Sequence, residues 1–435
     1  MSKLQKVHGA AAGIDVGSCK FFVGTEESEV QNFNTFTSGC YKLVEYLQQK
    51  NVTSVAMEAT GVYWITLHDM LRSAGIEVYV VNGRHVKHVP GRKTDVQDCL
   101  WIKELHSYGL LRKSFIPHEK VIELRHYMRI REKDIENKVG AVQRMDKALV
   151  MMNIRLSSVV SAVQLVSVMK IIEAILSGEK EAKKLAALCN KQLLKNKEEQ
   201  ILKSLEGFYK EEQLYALQHA YDEYKFYESK IKQCDEKMEV ILKTTVAGKK
   251  DPATKPTGKR IYHHRPAIDD LDKMVMQLYD GKDLTLLPGL TSYSVLKLYS
   301  VVGNDFSNWK NENAFTAYLG LAPSKYQTGK SRKYRKLKCN TEGGQILKEC
   351  VQPLLRSKYT ALGAFGKRIA GRRGASVAIK AMARKLAVWI YRIILKGMDF
   401  VNNGLEQYEE KLKKQKIKWL EKQAKEFNLM LTPVY

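Results

Sequence analysis

Two short apolar runs, each carrying a single acidic residue, constrain most strongly what this chain can fold into. In residues 11–18, Asp15 lies inside an apolar strand that ends in a glycine turn. Residues 52–61 repeat the pattern, with a β-rich run that ends at Glu58 before Gly61. An acidic side chain in a buried strand is costly unless it is paired or binds a metal ion. The two runs therefore predict that Asp15 and Glu58 are each paired with a cation, either a side chain or a metal ion.

A third acidic element is the pair Asp95 and Asp98, which precedes the apolar run 99–102. At the start of a predicted helix, a spacing of three residues places both carboxylates on one face. Like charges at this distance repel each other, so a buried pair needs a cation between them. The alternative, which this pair alone leaves open, is an exposed acidic helix start favoured by the helix dipole.

Together these positions give four carboxylates that can converge: Asp15, Glu58, Asp95 and Asp98. Hard divalent cations prefer such oxygen ligands, and Mg²⁺ combines a few carboxylates with substrate phosphates. Two ions about 4 Å apart activate a nucleophile and stabilise a leaving oxygen in phosphodiester chemistry. The four residues are therefore the predicted catalytic and metal-binding set, with Mg²⁺ or Mn²⁺ as the cofactor.

The order of the predicted elements indicates an α/β domain followed by helices. Residues 10–116 read as βββαβαβα, the order of a ribonuclease-H-like fold. From residue 118 the chain is rich in Lys and Glu and poor in Gly and Pro, which is typical of long charged helices that form a hairpin or coiled coil. The predicted divisions are an α/β domain at 1–116, a helical coiled-coil or oligomerisation region at 117–245, a linker or insertion at 246–283, a mainly helical domain with a basic loop at 284–400, and a helical tail at 401–435.

The charge of the chain predicts a nucleic-acid partner. The net charge is +25 and the isoelectric point is about 9.5, and a protein this basic most often binds nucleic acid. No apolar run approaches the ~18 residues of a membrane span, so no membrane partner is expected. The start of the sequence lacks the apolar core of a signal peptide. The seven cysteines are scattered without a C-x-x-C pair, which favours a reduced, cytoplasmic protein.

Two basic segments are the predicted nucleic-acid contacts. Residues 324–340 hold seven basic residues and no acid, interleaved with tyrosines and hydroxyls, and residues 367–374 form a second cluster. A solvated loop is the alternative, but cations with aromatics and small donors fit a nucleic-acid backbone better. The predicted nucleic-acid-binding residues are Lys93, Lys325, Lys330, Ser331, Arg332, Lys333, Arg335, Lys336, Lys338, Arg372 and Arg373.

The acidic motifs at 13–17, 57–64 and 93–98 and the C-terminal segments 287–290, 317–323 and 327–330 together resemble one family. It comprises the DEDD-type transposases of the insertion-sequence one-hundred-and-ten group, which includes the pilin-gene invertases. The resemblance implies a RuvC-like domain at 1–116 that carries the four acids, and a transposase domain at 284–400 with a catalytic hydroxyl. It also implies a coiled coil that joins subunits, and a structured non-coding guide RNA that pairs with donor and target DNA.

One departure from the family concerns the nucleophile. The family's Ser-Gly is Thr328-Gly329 in this chain, so Thr328 is the predicted nucleophile and Ser331 the runner-up, expected one turn away. The expected function is that of an RNA-guided DNA transposase or recombinase, acting as a homo-oligomer (dimer or tetramer) by metal-assisted strand cleavage and a hydroxyl nucleophile.

Two other classes of protein remain open at this point. Residues 13–18 also resemble the first phosphate loop of actin-like ATPases and sugar kinases, although the second, Asp-Gly-rich phosphate loop and the adenosine-binding glycine pair of that class are not found. A non-catalytic nucleic-acid-binding protein explains the charge but leaves the acids in the strands without a role.

Overall fold

The computed structural model describes most of the chain. The described residues are 5–26, 30–86, 94–159, 166–254, 264–323, 325–328, 331–334, 341–357, 360–397 and short stretches between 410 and 430. For residues 84, 85, 193, 196, 325–328 and 331–334 only the backbone is described. The chain divides into two compact units, Met1–Ile116 and Pro117–Tyr435.

The first unit is built on a mixed five-stranded sheet. Its strands are β1 (Ala11–Val16), β2 (Lys20–Gly24), β3 (Gln31–Asn34), β4 (Ser54–Glu58) and β5 (Glu77–Val81), and its helices are α1 (Thr37–Gln49), α2 (Trp64–Ser73), α3 (Gly83–Val86) and α4 (Asp95–Ser107). The strand order is β3-β2-β1-β4-β5. The pairs β3–β2 and β2–β1 are antiparallel, whereas β1–β4 and β4–β5 are parallel.

The alternation along β1 divides the side chains between two cores. Ile14 and Val16 belong to the main core beneath α1 and α2, where Leu43 and Leu67 are fully buried. The opposite face packs against α4, where Ile102 is completely buried. Because successive strand residues point to opposite faces, the residues between the apolar ones of β1 lie on the α4 side. This side therefore holds the acid of β1.

His106, near the end of α4, is a buried histidine that stays neutral. Its Nε2 lies 2.7 Å from Ser54 Oγ, and its ring stacks on His8 with the centroids 4.4 Å apart. Burial is the main cause that lowers the pKa of His106 to about 4, and His8 lowers it further while Glu77 opposes the shift.

The free energy of unfolding should consequently fall as the pH drops from about 6.5 to about 4. In this window His106 is protonated in the unfolded state but stays neutral in the folded state. Once the pH is below both pKa values, their difference corresponds to a loss of about 3 kcal/mol in the free energy of unfolding. Above about pH 6.5 the residue is neutral in both states and adds no pH dependence. Denaturant midpoints measured across this range test the prediction, with His106→Gln as the comparison. An identical pH dependence in both proteins would contradict it.

The second unit begins with a long helical hairpin. Helices α5 (Glu119–Met151) and α10 (Glu211–Val246) pack antiparallel, as the ion pairs Lys138–Glu228 and Arg144–Glu223 show. Between them the chain forms a helical lobe with α6 (Leu156–Val159), α7 (Val166–Leu176), α8 (Ala182–Ala187) and α9 (Lys191–Leu205). The lobe has its own core, which includes the fully buried Ile171, Ile201 and Leu205.

A buried ion pair joins this hairpin to the helices that follow. Arg131 and Asp235 are 2% and 4% exposed and are bonded through Arg131 Nε and Asp235 Oδ1 at 2.5 Å. Arg131 also donates to the His264 carbonyl and to the Tyr293 hydroxyl, and the amide of Ala267 donates to Asp235. A buried charge without its partner costs about 3–5 kcal/mol, so this network fixes the hairpin against the rest of the unit.

The remaining described elements are mostly helical: α11 (Leu271–Leu278), α12 (Ser292–Val302), α13 (Glu312–Tyr318), α14 (Glu342–Val351), α15 (Ala361–Arg373) and α16 (Ala375–Lys396), with a hairpin of β6 (Lys325–Thr328) and β7 (Ser331–Tyr334). Arg125 of α5 donates to the carbonyls of Ser300 and Val301 at the end of α12. A core of aromatic rings, including Phe306, Phe315 and Tyr391, holds α13 against α16. Among the described residues, no helix has the length and apolar character needed to cross a membrane.

The predicted fold class, α/β followed by all-α, is confirmed. The first unit has the predicted order of strands and helices, with the short α3 in addition, and agrees with a RuvC-like domain. The predicted domain limits and the coiled-coil role stay predictions. Helix α11 lies inside the range predicted as a linker, and the predicted basic loop contains β6 and β7. The predicted tail helix lies largely outside the described residues.

Candidate active site

Helix α4 lies across one face of the sheet and runs antiparallel to β1. Its last turn is anchored at the start of β4, through His106 and Ser54. Midway along the helix, the Cys99 carbonyl and the Lys103 amide approach β1 so closely that a Cβ at Gly13 would lie 2.3 Å from either atom. Any side chain at position 13 would push the helix off the strand. These two anchors direct the first turn of α4 toward the carboxyl ends of β1 and β4.

Asp15 and Glu58 lie on adjacent parallel strands at that end of the sheet. Ile14 pairs with Met57, so one further step of the register places Asp15 beside Glu58. Neighbouring strands are about 4.8 Å apart, and paired residues of a parallel ladder point to the same face. Since Gly13 faces α4, Asp15 and Glu58 face α4 as well. Both side chains are half-buried.

Asp95 and Asp98 occupy the first turn of α4, as the sequence predicts. The Thr94 hydroxyl caps the helix by accepting a hydrogen bond from the Gln97 amide at 3.3 Å. Asp95 is exposed and Asp98 is half-buried. The partial positive charge of the helix start stabilises carboxylates here. The alternative interpretation of this pair, an exposed acidic helix start favoured by the helix dipole, therefore fits Asp95 better than it fits Asp98.

The thiol of Cys99 responds to the charges of two of these acids. Cys99 is completely buried, and its Sγ donates to the Val96 carbonyl at 3.1 Å. Burial raises the pKa of Cys99 to about 12, and the negative charges of Asp15 and then Asp98 add to the shift.

Gly83, at the start of α3, determines where the Glu58 carboxylate lies. A Cβ at position 83 would be 2.1 Å from Glu58 Oε1, so the absence of a side chain there makes room for the carboxylate. Sequence reasoning missed this glycine and Gly13. Both positions require glycine because of a tertiary contact and not because of a turn. The sequence therefore shows only that the residue is glycine, without a local pattern that explains it.

The backbone positions bring these acids toward one end of the sheet. In the part of the chain that the structure describes, no group of three or more His, Cys, Asp or Glu side chains is arranged to hold a metal ion. The metal-binding assignment of Asp15, Glu58, Asp95 and Asp98 stays a prediction. The donor set itself suits Mg²⁺ or Mn²⁺, since it consists of carboxylate oxygens on rigid elements.

The predicted hydroxyl nucleophile lies in the second unit. Thr328 ends β6 and Ser331 begins β7, and the two residues are Cα partners across the hairpin. Ser331 is therefore opposite Thr328 on a neighbouring strand rather than one helical turn away. The predicted spacing of one turn is wrong because this segment, which contains tyrosines and hydroxyls, forms strands.

The predicted nucleic-acid contacts are only partly described. Lys93, Lys330, Arg335, Lys336 and Lys338 lie outside the described residues, and of Lys325, Arg332 and Lys333 only the strand backbone is described. Arg372 and Arg373 are exposed in the last turn of α15.

Comparison with known proteins gives two matches. One begins in the first unit and extends into the second, and the other lies within the second unit. Residues 12–154 match a family model described as a transposase, the DEDD transposase of IS110. Residues 282–362 match a model described as a transposase of the IS116/IS110/IS902 family. No curated protein matches the chain. The first match includes Asp15, Glu58, Asp95 and Asp98, and the second includes Thr328.

Proposed function

We propose, from the premise that this chain belongs to the IS110 family of transposases, that its N-terminal unit cuts DNA strands with the help of divalent cations. Membership of this family means that the chain is a DNA transposase that moves an insertion sequence. The two matches confirm the family resemblance that the sequence motifs predicted. The metal dependence, the chemical step, the guide RNA and the oligomeric state are the proposal.

The observation that carries the proposal is the placement of three acidic positions by independent contacts. The β1–β4 register places Asp15 beside Glu58, and the antiparallel course of α4 brings Asp98 to the same end of the sheet. The close approach of the Cys99 carbonyl to Gly13, two residues before Asp15 in β1, supports the same arrangement. A structural core would gain nothing from carboxylates collected in this way, because they repel one another.

In the proposed site, Asp15 and Glu58 would hold the cations from the rigid sheet, and Asp95 and Asp98 would complete the ligand set from the helix start. The cations, when bound, supply Lewis-acid stabilisation of charge on the phosphate and the leaving oxygen. Gly83 leaves room for the Glu58 carboxylate at the start of α3. The buried core below these residues keeps the strand ends fixed, which cation geometry requires.

Thr328 is the proposed nucleophile of the strand-transfer step. Its hydroxyl oxygen attacks a backbone phosphorus and forms a new phosphoester bond. The bond from that phosphorus to one deoxyribose oxygen breaks, the hydroxyl proton leaves, and the released deoxyribose oxygen takes up a proton. The adduct retains a phosphodiester, so the reverse attack by a new strand end rejoins DNA without an external energy source.

Further partners follow from the family rather than from the described geometry. We propose a structured guide RNA, a homo-oligomer (dimer or tetramer) formed through α5 and α10, and action in the cytoplasm. The net charge of +25 supports binding of an RNA together with DNA.

Light scattering with and without nucleic acid tests the homo-oligomer, and a monomer under both conditions would refute it. Sequencing RNA that copurifies with the chain tests the guide, and the absence of an element-derived RNA would remove that part.

The experiment that tests the function supplies the full chain with DNA spanning an element end, element-derived RNA, and either Mg²⁺ or a chelator. Strand cleavage and exchange are expected with Mg²⁺ only. ATP hydrolysis is measured in the same samples, because an actin-like ATPase would hydrolyse ATP without strand exchange. Binding without either activity would instead indicate a non-catalytic nucleic-acid-binding protein.

A further inference from the structure

The exposed apolar side chains of the first unit lie mainly at the end of the sheet that carries the acids. Strands β1, β3 and β4 run in the same direction, so their carboxyl ends share this edge with the starts of α1, α2 and α4. Among the described residues of this unit, every exposed large apolar or aromatic side chain except Val7 and Leu110 belongs to the first two turns of these helices or just precedes them. These side chains, 43–75% exposed, are Phe36, Tyr41, Val62, Tyr63, Ile65 and Val96. Exposed apolar residues concentrated in this way mark a site of contact with a ligand or partner.

Tyr63 is the exposed ring that follows Glu58 along the chain, and two hydrogen-bonded turns keep the two residues close. The Thr60 amide donates to the Glu58 carbonyl at 2.9 Å, and the Tyr63 amide donates to the Thr60 carbonyl at 3.4 Å. These turns limit the distance between the Cα atoms of Glu58 and Tyr63 to about 15 Å. Stacked nucleotides of one strand are about 3.4 Å apart. A DNA strand with a phosphate at Glu58 therefore has Tyr63 within reach of its next few bases.

The backbone holds the Tyr63 ring in place and leaves much of it accessible. Gly61 has a φ of 54°, which favours glycine, and a Cβ there would lie 3.6 Å from the ring carbons Cδ2 and Cε2 of Tyr63. The next residue, Trp64, packs against the main core and meets the His68 ring edge-on, with the ring centroids 5.5 Å apart. Trp64 therefore anchors the start of α2, while Tyr63 lies beside Gly61 with 48% of its surface exposed.

The chemistry of these side chains suits nucleobases rather than phosphates. Phosphates are bound by cations and hydrogen-bond donors, whereas an unpaired base stacks on an aromatic ring. Within a duplex the faces of each base are already covered by the neighbouring bases. Strand exchange, the reaction of the proposed function, separates a cut strand from its complement, so the bases beside the cut become free to stack at this end of the sheet.

We propose that the Tyr63 ring stacks on an unpaired DNA base beside the phosphate that is cut, and that the exposed Val62 and Ile65 add apolar contacts to the same strand. The inference rests on the proposed function, which places that phosphate at Asp15 and Glu58. Tyr63 binds the strand and does not touch the reacting atoms. Because every base has an aromatic face, this contact should be independent of DNA sequence.

The test measures equilibrium binding of the full chain, in chelator, to three DNA duplexes: one fully paired, one with a short unpaired stretch, and one with the same stretch made of abasic sites. The unmodified protein should prefer the unpaired stretch over both others. Stacking of one base on a ring is worth roughly 5- to 150-fold in affinity, so Tyr63→Ala should reduce this preference about ten-fold. Tyr63→Phe keeps the ring and should keep the preference. The ratio of affinities removes the phosphate contacts that all three duplexes share.

The matched control is Tyr215→Ala, which removes a tyrosine that is 74% exposed in the second unit and should leave the preference unchanged. Equal preferences in the Tyr63→Ala and Tyr215→Ala proteins would overturn the proposal. If Tyr63→Ala lowers the melting temperature, Tyr63→Leu replaces it, because leucine keeps an apolar side chain without a flat ring. Tyr63→Leu should lose the preference as well, and a preference equal to that of Tyr63→Phe would rule out stacking.

Binding in chelator requires no cleavage, so this test is separate from that of the proposed function. An unchanged preference in a Tyr63→Ala protein that still cuts DNA would refute only the stacking, whereas the expected loss in a chain that does not cut DNA would support the stacking alone. Light scattering is measured on the same samples. If Tyr63→Ala changes the oligomeric state but not the preference, these side chains contact a second copy of the chain and the assignment to DNA is wrong. RNA duplexes of the same design are measured in parallel, and an effect confined to RNA would also contradict the assignment.

Discussion

Replacing Asp15 with asparagine, or Glu58 with glutamine, should reduce DNA strand cleavage by a factor of about 10³ or more. Each substitution removes a charged ligand from the proposed cation site, and cation stabilisation of a phosphodiester transition state amounts to several kcal/mol, where about 4 kcal/mol corresponds to about 10³ in rate. DNA affinity should change by less than about two-fold, because phosphate contacts by Lys and Arg dominate it. Cleavage rates and equilibrium binding are measured on the same preparations.

The matched control for this pair is Glu45→Gln, on the exposed surface of α1 in the same unit. It makes the same chemical change as Glu58→Gln, away from the strand ends, and should leave cleavage unaltered. Comparable cleavage by the Glu58→Gln and Glu45→Gln proteins would show that Glu58 has no catalytic role. Folding is checked by circular dichroism, since β4 belongs to the central sheet.

Removing the hydroxyl of Thr328 should eliminate the covalent protein–DNA adduct. Thr328→Val keeps the size and the β-branched shape that suits the β6 strand but cannot attack phosphorus. Thr328→Ser keeps the hydroxyl and removes a methyl that crowds the attack, so adduct formation should be retained or increased. The adduct is measured as a shifted band on denaturing gels after quenching.

Ser331→Ala is the companion variant, because Ser331 is the strand partner of Thr328 and carries the other hydroxyl. It should retain the adduct. If Thr328→Val still forms the adduct and Ser331→Ala does not, Ser331 is the nucleophile. If both single variants retain it, neither hydroxyl forms the link and the covalent step has been assigned to the wrong segment.

The sequence was sufficient to predict the order of elements in the first unit and the positions of its acids. Apolar runs that end at a glycine, such as the one that contains Asp15, have the length and composition of a buried strand. Asp95 and Asp98 follow a threonine that can cap a helix, and Thr94 does so in the structure. These features depend on local patterns, which a single sequence contains.

Features that depend on contacts between distant segments could not be predicted. Gly13 and Gly83 are glycines because α4 and the Glu58 carboxylate approach them, and neither contact has a local pattern. Arg131 and Asp235 lie in helices whose Lys- and Glu-rich composition indicates a solvated surface, yet both are buried. Ser331 was expected one helical turn from Thr328 because the basic segment showed no clear strand period.

Asp15 and Glu58 are the proposed ligands of one cation site, and Mn²⁺ uptake tests this assignment most directly. Mn²⁺ binding to the full chain with DNA is followed by electron paramagnetic resonance, for the unmodified protein and for Asp15→Asn, Glu58→Gln and Glu45→Gln. We predict saturable binding by the unmodified protein and by Glu45→Gln, weakened at least about ten-fold in the other two, as loss of a charged ligand to a hard cation implies. Equal Mn²⁺ affinity in all four proteins would contradict this assignment.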